Sequence, residues 1–278
     1  MTQGQGSQTE QKERGIGVAS AVSLRLSNAS QCRHFPFWHV DLNSGCGINA
    51  QVGCDGSPLV FFANVDKSPR PFHAFFVDKV EGAILELSER LKHRPTAYCF
   101  HADNSEILPV VKRMMEQHRE NPRYVFGSVI VDPNGYDTDW PIDKLRDFAH
   151  EHPRMDIILN LSLRSFSLQN GHKVQGSKGW ANRRLIRPSE WPSFLGRQHG
   201  VVREPSPGGH RFLLMCLRSM PAGASRPMGM WDIHSSKGRE VFQNADNKPG
   251  LAPNATPQLP GLFEAPCFSS CAQPGVGA

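Results

Sequence analysis

Four aspartates stand out because each closes a short apolar run. Phe37 to Val40 leads into Asp41, His73 to Val77 into Asp78, Ala97 to Phe100 into His101-Ala102-Asp103, and Ser128 to Val131 into Asp132. A single carboxylate at such a place is an ordinary turn or helix cap. Four in succession, the first followed by Asn43-Ser44-Gly45-Cys46-Gly47, form a set that suits a nucleoside ligand. Glycines let a backbone come close to a ligand where a Cβ would intrude. A carboxylate after a second strand can take both ribose hydroxyls, and one after a third strand can accept from an exocyclic adenine amine. Asp132-Pro133-Asn134-Gly135 then falls where the amine of a substrate would meet that nucleoside.

The elements that must carry these residues follow from periodicity. Apolar runs of four to six residues alternate with stretches spaced as helices: Val80, Ala83, Ile84, Leu87 and Leu91, then Ile107, Val110, Val111 and Met114, then Ile142, Leu145, Phe148 and Ala149. Asn104 or Ser105 is the expected cap of the second of these helices. Ser57-Pro58 opens another, with Ser57 as cap and Pro58 in the first turn. A fifth strand is read at Asp156 to Leu161, and Val201 to Arg203 with Phe212 to Leu217 reads as an antiparallel hairpin. The expected fold class is therefore α/β: a Rossmann-like, doubly wound, mostly parallel sheet with an antiparallel C-terminal hairpin. Ligands in such sheets bind beyond the carboxyl ends of the strands. One domain is expected over residues 31–243, with a basic loop segment at 170–200 and flexible tails at 1–30 and 244–278, where Gln, Gly, Pro and Asn replace the periodic pattern.

Two cofactor chemistries fit the first glycine loop. Gly45-x-Gly47-x-x-Ala50 matches the dinucleotide fingerprint, but that fingerprint needs a helix starting at the loop, and Gly53, Cys54, Asp55 and Gly56 interrupt it. A nicotinamide-dependent oxidoreductase is thus the weaker reading. The order Asp41, Gly45-x-Gly47, Asp78, Asp103, Asp132-Pro133 resembles the motif series of class I S-adenosylmethionine (SAM)-dependent methyltransferases. It is similar, more narrowly, to the three-Cys-motif partner proteins in Asp41-Leu42-Asn43-Ser44-Gly45-Cys46-Gly47, Gly56-Ser57-Pro58-Leu59 and Asp132-Pro133-Asn134-Gly135. Asp132-Pro133-Asn134-Gly135-Tyr136 resembles, more distantly, the D-P-P-Y motif of nucleic-acid amino-methyltransferases. The resemblance implies SAM as cofactor, held by Asp41, Asn43, Gly45 and Gly47 at the methionine end, by Asp78 at the ribose and by Asp103 with Asn104 at the adenine. It implies Asp132, Pro133 and Asn134 as the catalytic group that receives a substrate amine, adenine N6 being the first guess. Asn43 stands where the usual motif has glycine, and Asn134 where the D-P-P-Y group has proline. These departures motivate an alternative: a methyltransferase-fold nucleic-acid-binding or partner protein without turnover.

Charge points to the substrate class. The chain carries 31 Lys and Arg against 26 Asp and Glu over 278 residues. Residues 173–218 hold nine of the basic residues and two acids, so the rest of the chain is slightly acidic. Lys173, Lys178, Trp180, Arg183, Arg184 and Arg187 are the expected nucleic-acid contacts, with Trp191 and Phe194 nearby. Cations neutralise phosphates while rings stack on unpaired bases. No apolar run is long enough for a membrane span, so no membrane contact is expected. Seven irregularly spaced cysteines and a polar N-terminus imply reduced thiols and a cytoplasmic setting. No metal site is expected: Cys267 and Cys271 lack further ligands, and neither a P-loop nor an H-E-x-x-H motif occurs.

Overall fold

The structure, a computed structural model, describes residues 15–25, 34–49, 53–118, 125–132, 142–162, 186–204, 211–219 and 229–246. Helix α1 spans 15–25. Strand β1 (Phe37–Asp41) is followed by a small hairpin of β2 (Ile48–Asn49) and β3 (Cys54–Asp55), then α2 (Ser57–Val65). Next come β4 (Phe72–Asp78), α3 (Glu81–Leu91), β5 (Ala97–His101), α4 (Asn104–Gln117), β6 (Phe126–Val131), α5 (Ile142–Glu151) and β7 (Met155–Ser162). The chain continues through a 3-10 turn (Pro188–Glu190), α6 (Trp191–Phe194), β8 (His199–Arg203), β9 (Arg211–Leu217), β10 (Trp231–Asp232) and α7 (Ser236–Asp246).

The sheet order is β10-β8-β9-β7-β6-β1-β4-β5. Strands β7, β6, β1, β4 and β5 run parallel, and β9 runs against β7 and β8. The fold is Rossmann-like and doubly wound, with a mostly parallel sheet. The hairpin expected from the sequence is present, with one refinement. Strand β8, antiparallel to β9, points the same way as β7, so the reversed strands of the main sheet are β9 and the two-residue β10 that closes that edge.

Both faces are covered, which explains the continuous apolar runs of the parallel strands. On one face Trp38, Val40, Phe75, Val129, Ile157 and Leu159 pack under α4, α5 and α7. The alternate residues Phe37, Phe76, Ile130, Ile158 and Met215 pack under α1, α2 and α3. This alternation is the period-two pattern of a strand.

The domain boundaries differ from expectation at both ends. Helix α1 lies in the stretch read as an N-terminal tail, yet Ile16, Ala19, Val22 and Leu24 are buried. Its small residues set it close to the body: a Cβ on Gly17 would lie 2.5 Å from Val60 Cγ1. Ser23 donates to Asp156 Oδ2 at 2.6 Å beneath it. Helix α7 runs to Asp246, past the expected end at 243, and buries Val241, Phe242 and Ala245. Residues 1–14, 26–30 and 247–278 lie outside the described residues.

Smaller differences concern helix starts. Asp103, not Asn104 or Ser105, caps α4 by accepting from Ser105 N at 2.8 Å. Gly56 occupies the cap position of α2, with Ser57 and Pro58 in its first turn and no side-chain cap. His152, just after the end of α5, is buried, and desolvation lowers its pKa to about 4.

Candidate functional site

Strand β1 is central. The chain builds outward from it through β4 and β5, then crosses back to β6 and β7 on the other side. The switch point lies between β1 and β6, and in open sheets of this kind ligands bind beyond the carboxyl ends of the strands at that point. Asp41, Asp78 and Asp132 sit at those ends, on three strands adjacent in the sheet.

The loop after β1 is stapled to both neighbours. On the β6 side, Leu42 N donates to Ile130 O at 3.0 Å, and Asp132 N donates to Asn43 Oδ1 at 3.2 Å. On the β4 side, Ser44 donates to Val77 O twice, from its backbone N at 2.9 Å and its hydroxyl at 3.1 Å. Gly45 N donates to Asp78 Oδ2 at 2.9 Å. Asp41 is fully buried, and its Oδ1 accepts from Asn43 N at 3.1 Å. Asn43 is thus no mere lapse from a glycine pattern. Its side chain ties the loop to β6, which a glycine could not do.

The two loop glycines serve different ends. Gly45 has φ 59° and Gly47 φ 81°, in the left-handed region. A Cβ on Gly47 would meet Leu87 Cδ1 at 2.8 Å, so this glycine is needed for packing. Among the described residues, a Cβ on Gly45 would meet nothing within 4 Å. The backbone at Gly45 is therefore open to a ligand on the side of the described residues.

Asp78 holds the loop with one oxygen and accepts from Val80 N at 2.9 Å with the other. A carboxylate has about four lone-pair positions, so two ribose hydroxyls remain within its capacity. His101 lies opposite Asp78 in the sheet register and donates to Lys79 O at 3.2 Å. Asp103 is exposed and caps α4, with Asn104 as that helix's first residue. These two sit one strand further from the glycine loop than Asp78 does.

Asp132 is buried, and Asn160 on β7 donates to its Oδ1 at 2.7 Å. This bond fixes the carboxylate at the end of β6 from the neighbouring strand. Pro133 and Asn134 lie outside the described residues. Asn160 follows the apolar stretch Asp156 to Leu159; its in-register place at a strand end is the signal that marks it. Ser44 and His101 had no such signal, because single serines and histidines at strand ends are common.

The expected nucleic-acid contacts divide. Lys173, Lys178, Trp180, Arg183 and Arg184 lie outside the described residues. Arg187 is exposed, and its backbone N donates to Glu190 Oε2 at 3.0 Å. Trp191 is fully buried in the core, so it is no stacking platform, and the half-buried Phe194 packs against it at 5.6 Å between ring centroids. Arg197 is buried and donates to the carbonyls of Leu195, Ala149, His152 and Met155. It satisfies the end of α5 and the start of β7, a structural task. Arg218 lies over the Phe126 ring at 4.6 Å, at the strand end away from the site. Part of the basic surplus thus belongs to the scaffold.

Among the described residues no group of three or more His, Cys, Asp or Glu could hold a metal, and no helix is long and apolar enough to cross a membrane. Cys46, Cys54, Cys99 and Cys216 are free thiols. The hairpin of β2 and β3 separates the glycine loop from α2, so no helix starts at the loop as the dinucleotide fingerprint requires.

No protein-family model matches the chain, and no curated protein matches its sequence. Among solved structures it is similar to protein LPL1258 from Legionella pneumophila, at 12% identity and a TM-score of 0.47, covering 84% of this chain and 93% of that one. It is similar to the fibrillarin of Aeropyrum pernix in complex with SAM, at 10% identity and a TM-score of 0.38, covering 72% and 76%. It is also similar to the N-methyltransferase NodS of Bradyrhizobium japonicum, at 13% identity and a TM-score of 0.38, covering 74% and 93%.

Proposed function

We propose that this chain is a SAM-dependent methyltransferase acting on an amino group of a nucleic-acid base, with adenine N6 as the first target to test. The observation that carries the reading is Asp132. It is a buried carboxylate at the end of β6, oriented by Asn160 and tied through Asn43 to the loop that bears the open Gly45 backbone. SAM would supply an electrophilic methyl group. The loop 41–47 would receive its methionine end, Asp78 its ribose, and Asp103 with Asn104 its adenine side.

The work left to the chain is positioning. An exocyclic amine is a weak nucleophile because its lone pair is delocalised into the ring. A carboxylate accepting one of its N–H bonds favours the geometry in which the lone pair is available, and it stabilises the positive charge that develops on nitrogen. Asn160 already donates to Asp132 Oδ1, which sets the orientation of the carboxylate. A base inside a duplex cannot reach this depth, so the target is single-stranded or flipped out. The basic run Lys173 to Arg187 is the part of the chain suited to hold its phosphates, in a cytoplasmic setting.

The test is methyl transfer from SAM to DNA and RNA, read by mass spectrometry of nucleosides, with wild type and Asp132→Ala. The expected result is methyl incorporation that vanishes in the variant while SAM binding survives. Full activity of the variant, or no SAM binding by the wild type at millimolar concentration, would refute the reading.

A second reading is a nucleic-acid-binding or partner protein that keeps the fold without turnover. It is favoured by Asp78, whose two oxygens are both engaged by backbone N–H groups, and by Asp103, which is used as a cap. Tight nucleic-acid binding without methyl incorporation on any substrate would support it.

A further inference from the structure

We propose that β5 is a self-association edge, through which two copies of the chain join by antiparallel pairing of β5 with β5 about a two-fold axis at Cys99. This goes beyond the proposed activity and does not depend on it.

Strand β5 ends the sheet order and, among the described residues, pairs only with β4. Its backbone directions follow from two hydrogen bonds. Ala74 N donates to Thr96 O at 2.9 Å, and Ala102 N donates to Asp78 O at 3.3 Å. Thr96 and Ala102 therefore aim their polar groups at β4, and so do the even-numbered residues between them. Ala97, Cys99 and His101 aim theirs outward. The Ala97 N–H turns back to Arg94 O at 3.0 Å, so the outward row is centred on Cys99.

Proteins usually blunt such an edge with a lysine, a proline or a bulge. The sequence Ala97-Tyr98-Cys99-Phe100-His101 has none of these. Its apolar side chains are only half-buried, and the other edge of the sheet, by contrast, ends in the two-residue β10. Helix α3, which packs on β5, adds exposed apolar surface: Leu85 is 62% exposed and Val80, just before the helix, 51%. They are two of the four exposed large apolar residues among the described ones.

A second copy fits this edge better than an unrelated strand because the edge is self-complementary. With the axis at Cys99, all five residues overlap, and Ala97 of one copy faces His101 of the other. The outward-pointing residues pair with one another, as an antiparallel ladder needs. Helix α3 of each copy, with its exposed Leu85, is related by the same axis. Cyclic two-fold dimers with one patch used twice are the commonest closed assembly. In this register the two Cys99 residues form a hydrogen-bonded cross-strand pair, about 5.5 Å apart at Cα. That separation lies inside the range a disulfide can bridge.

The experiment uses the full chain. Sedimentation velocity over about a hundredfold concentration range reads the mass. Diamide under alkaline conditions then crosslinks thiols, since burial pushes the Cys99 thiol up to about 11. We expect a dimer that grows with concentration, and a crosslink mapped by peptide mass spectrometry to Cys99 on both chains. Cys99→Ser should lose the crosslink and keep the dimer. Cys99→Lys, which sets like charges opposite each other, should lose the dimer while its thermal melt shows a folded chain. Leu85→Glu, on the exposed face of α3, serves the same purpose if Cys99→Lys does not fold. A monomer at every concentration, a dimer that survives both Cys99→Lys and Leu85→Glu, or a crosslinked dimer with Cys99 still free would each overturn the proposal.

Discussion

Gly45, Gly47 and Gly53 form a matched set that separates ligand contact from backbone strain. All three have positive φ: 59°, 81° and 68°. Among the described residues, a Cβ would meet nothing within 4 Å at Gly45 and at Gly53, but would lie 2.8 Å from Leu87 Cδ1 at Gly47. An alanine in the left-handed region costs about 1 kcal/mol. Gly45→Ala and Gly53→Ala should therefore lower stability by that amount, a shift of roughly 2–4 °C in Tm for a domain of this size. Gly47→Ala adds overpacking against Leu87 and should lose about 2–4 kcal/mol in all. Binding should divide the set differently. If a SAM-like ligand lies against the Gly45 backbone, a methyl group there forces the ligand away. At about 1.4 kcal/mol per tenfold, that steric cost weakens SAM at least ~10-fold. Gly53→Ala, equally strained but in the hairpin, should bind as wild type does. The assay is isothermal calorimetry with SAM beside a thermal melt of each variant. Equal SAM affinity for Gly45→Ala and Gly53→Ala would refute the assignment of the glycine loop to the cofactor.

Three further outcomes follow from the same contacts. Asn160→Ala removes the donor at 2.7 Å from Asp132; methyl transfer should fall ~10- to 100-fold with SAM affinity unchanged, checked by kcat against Kd. Arg197→Met strips the cation that serves the four carbonyls around the end of α5; urea unfolding should show a loss of about 3 kcal/mol or more, while filter binding of nucleic acid stays as in wild type. His39 is fully buried, and desolvation lowers its pKa to about 3, so the unfolded chain takes up a proton near pH 6.5 that the native chain refuses. Stability should fall as pH drops from about 6.5 towards 3, by up to roughly 5 kcal/mol from this group, and His39→Gln should flatten that part of the urea-midpoint profile.

The sheet was legible because its strands are buried on both faces and so read as short apolar runs with carboxylates at their ends. The strand-end aspartates were legible for the same reason. The function of Asn43 was not, since a side chain that bridges a loop to a strand eighty-nine residues away leaves no local pattern. Helix α1 was hidden by its own composition. Gly15, Gly17, Ala19, Ser20 and Ser23 give little hydrophobic signal. They are small because the helix lies against α2 closely enough that a Cβ at Gly17 would overlap Val60.

The basic segment shows why a net charge must be divided by task before it supports a partner. Arg197 is bound to backbone carbonyls and Arg218 is stacked on Phe126, so two of the nine cations are committed to the fold. Trp191, the aromatic that completed the pattern of a stacking channel, is instead the buried anchor of α6. Five of the other seven, from Lys173 to Arg187, are the cations that the proposed function assigns to phosphates, and they follow β7 in the chain. Strand β7 also carries Asn160, the residue that orients Asp132. On the proposed function, the segment that follows β7 in the chain would hold the substrate strand, and Asp132 would receive its amine. Asp78 and Asp103, on β4 and after β5, would then take the nucleoside of the methyl donor.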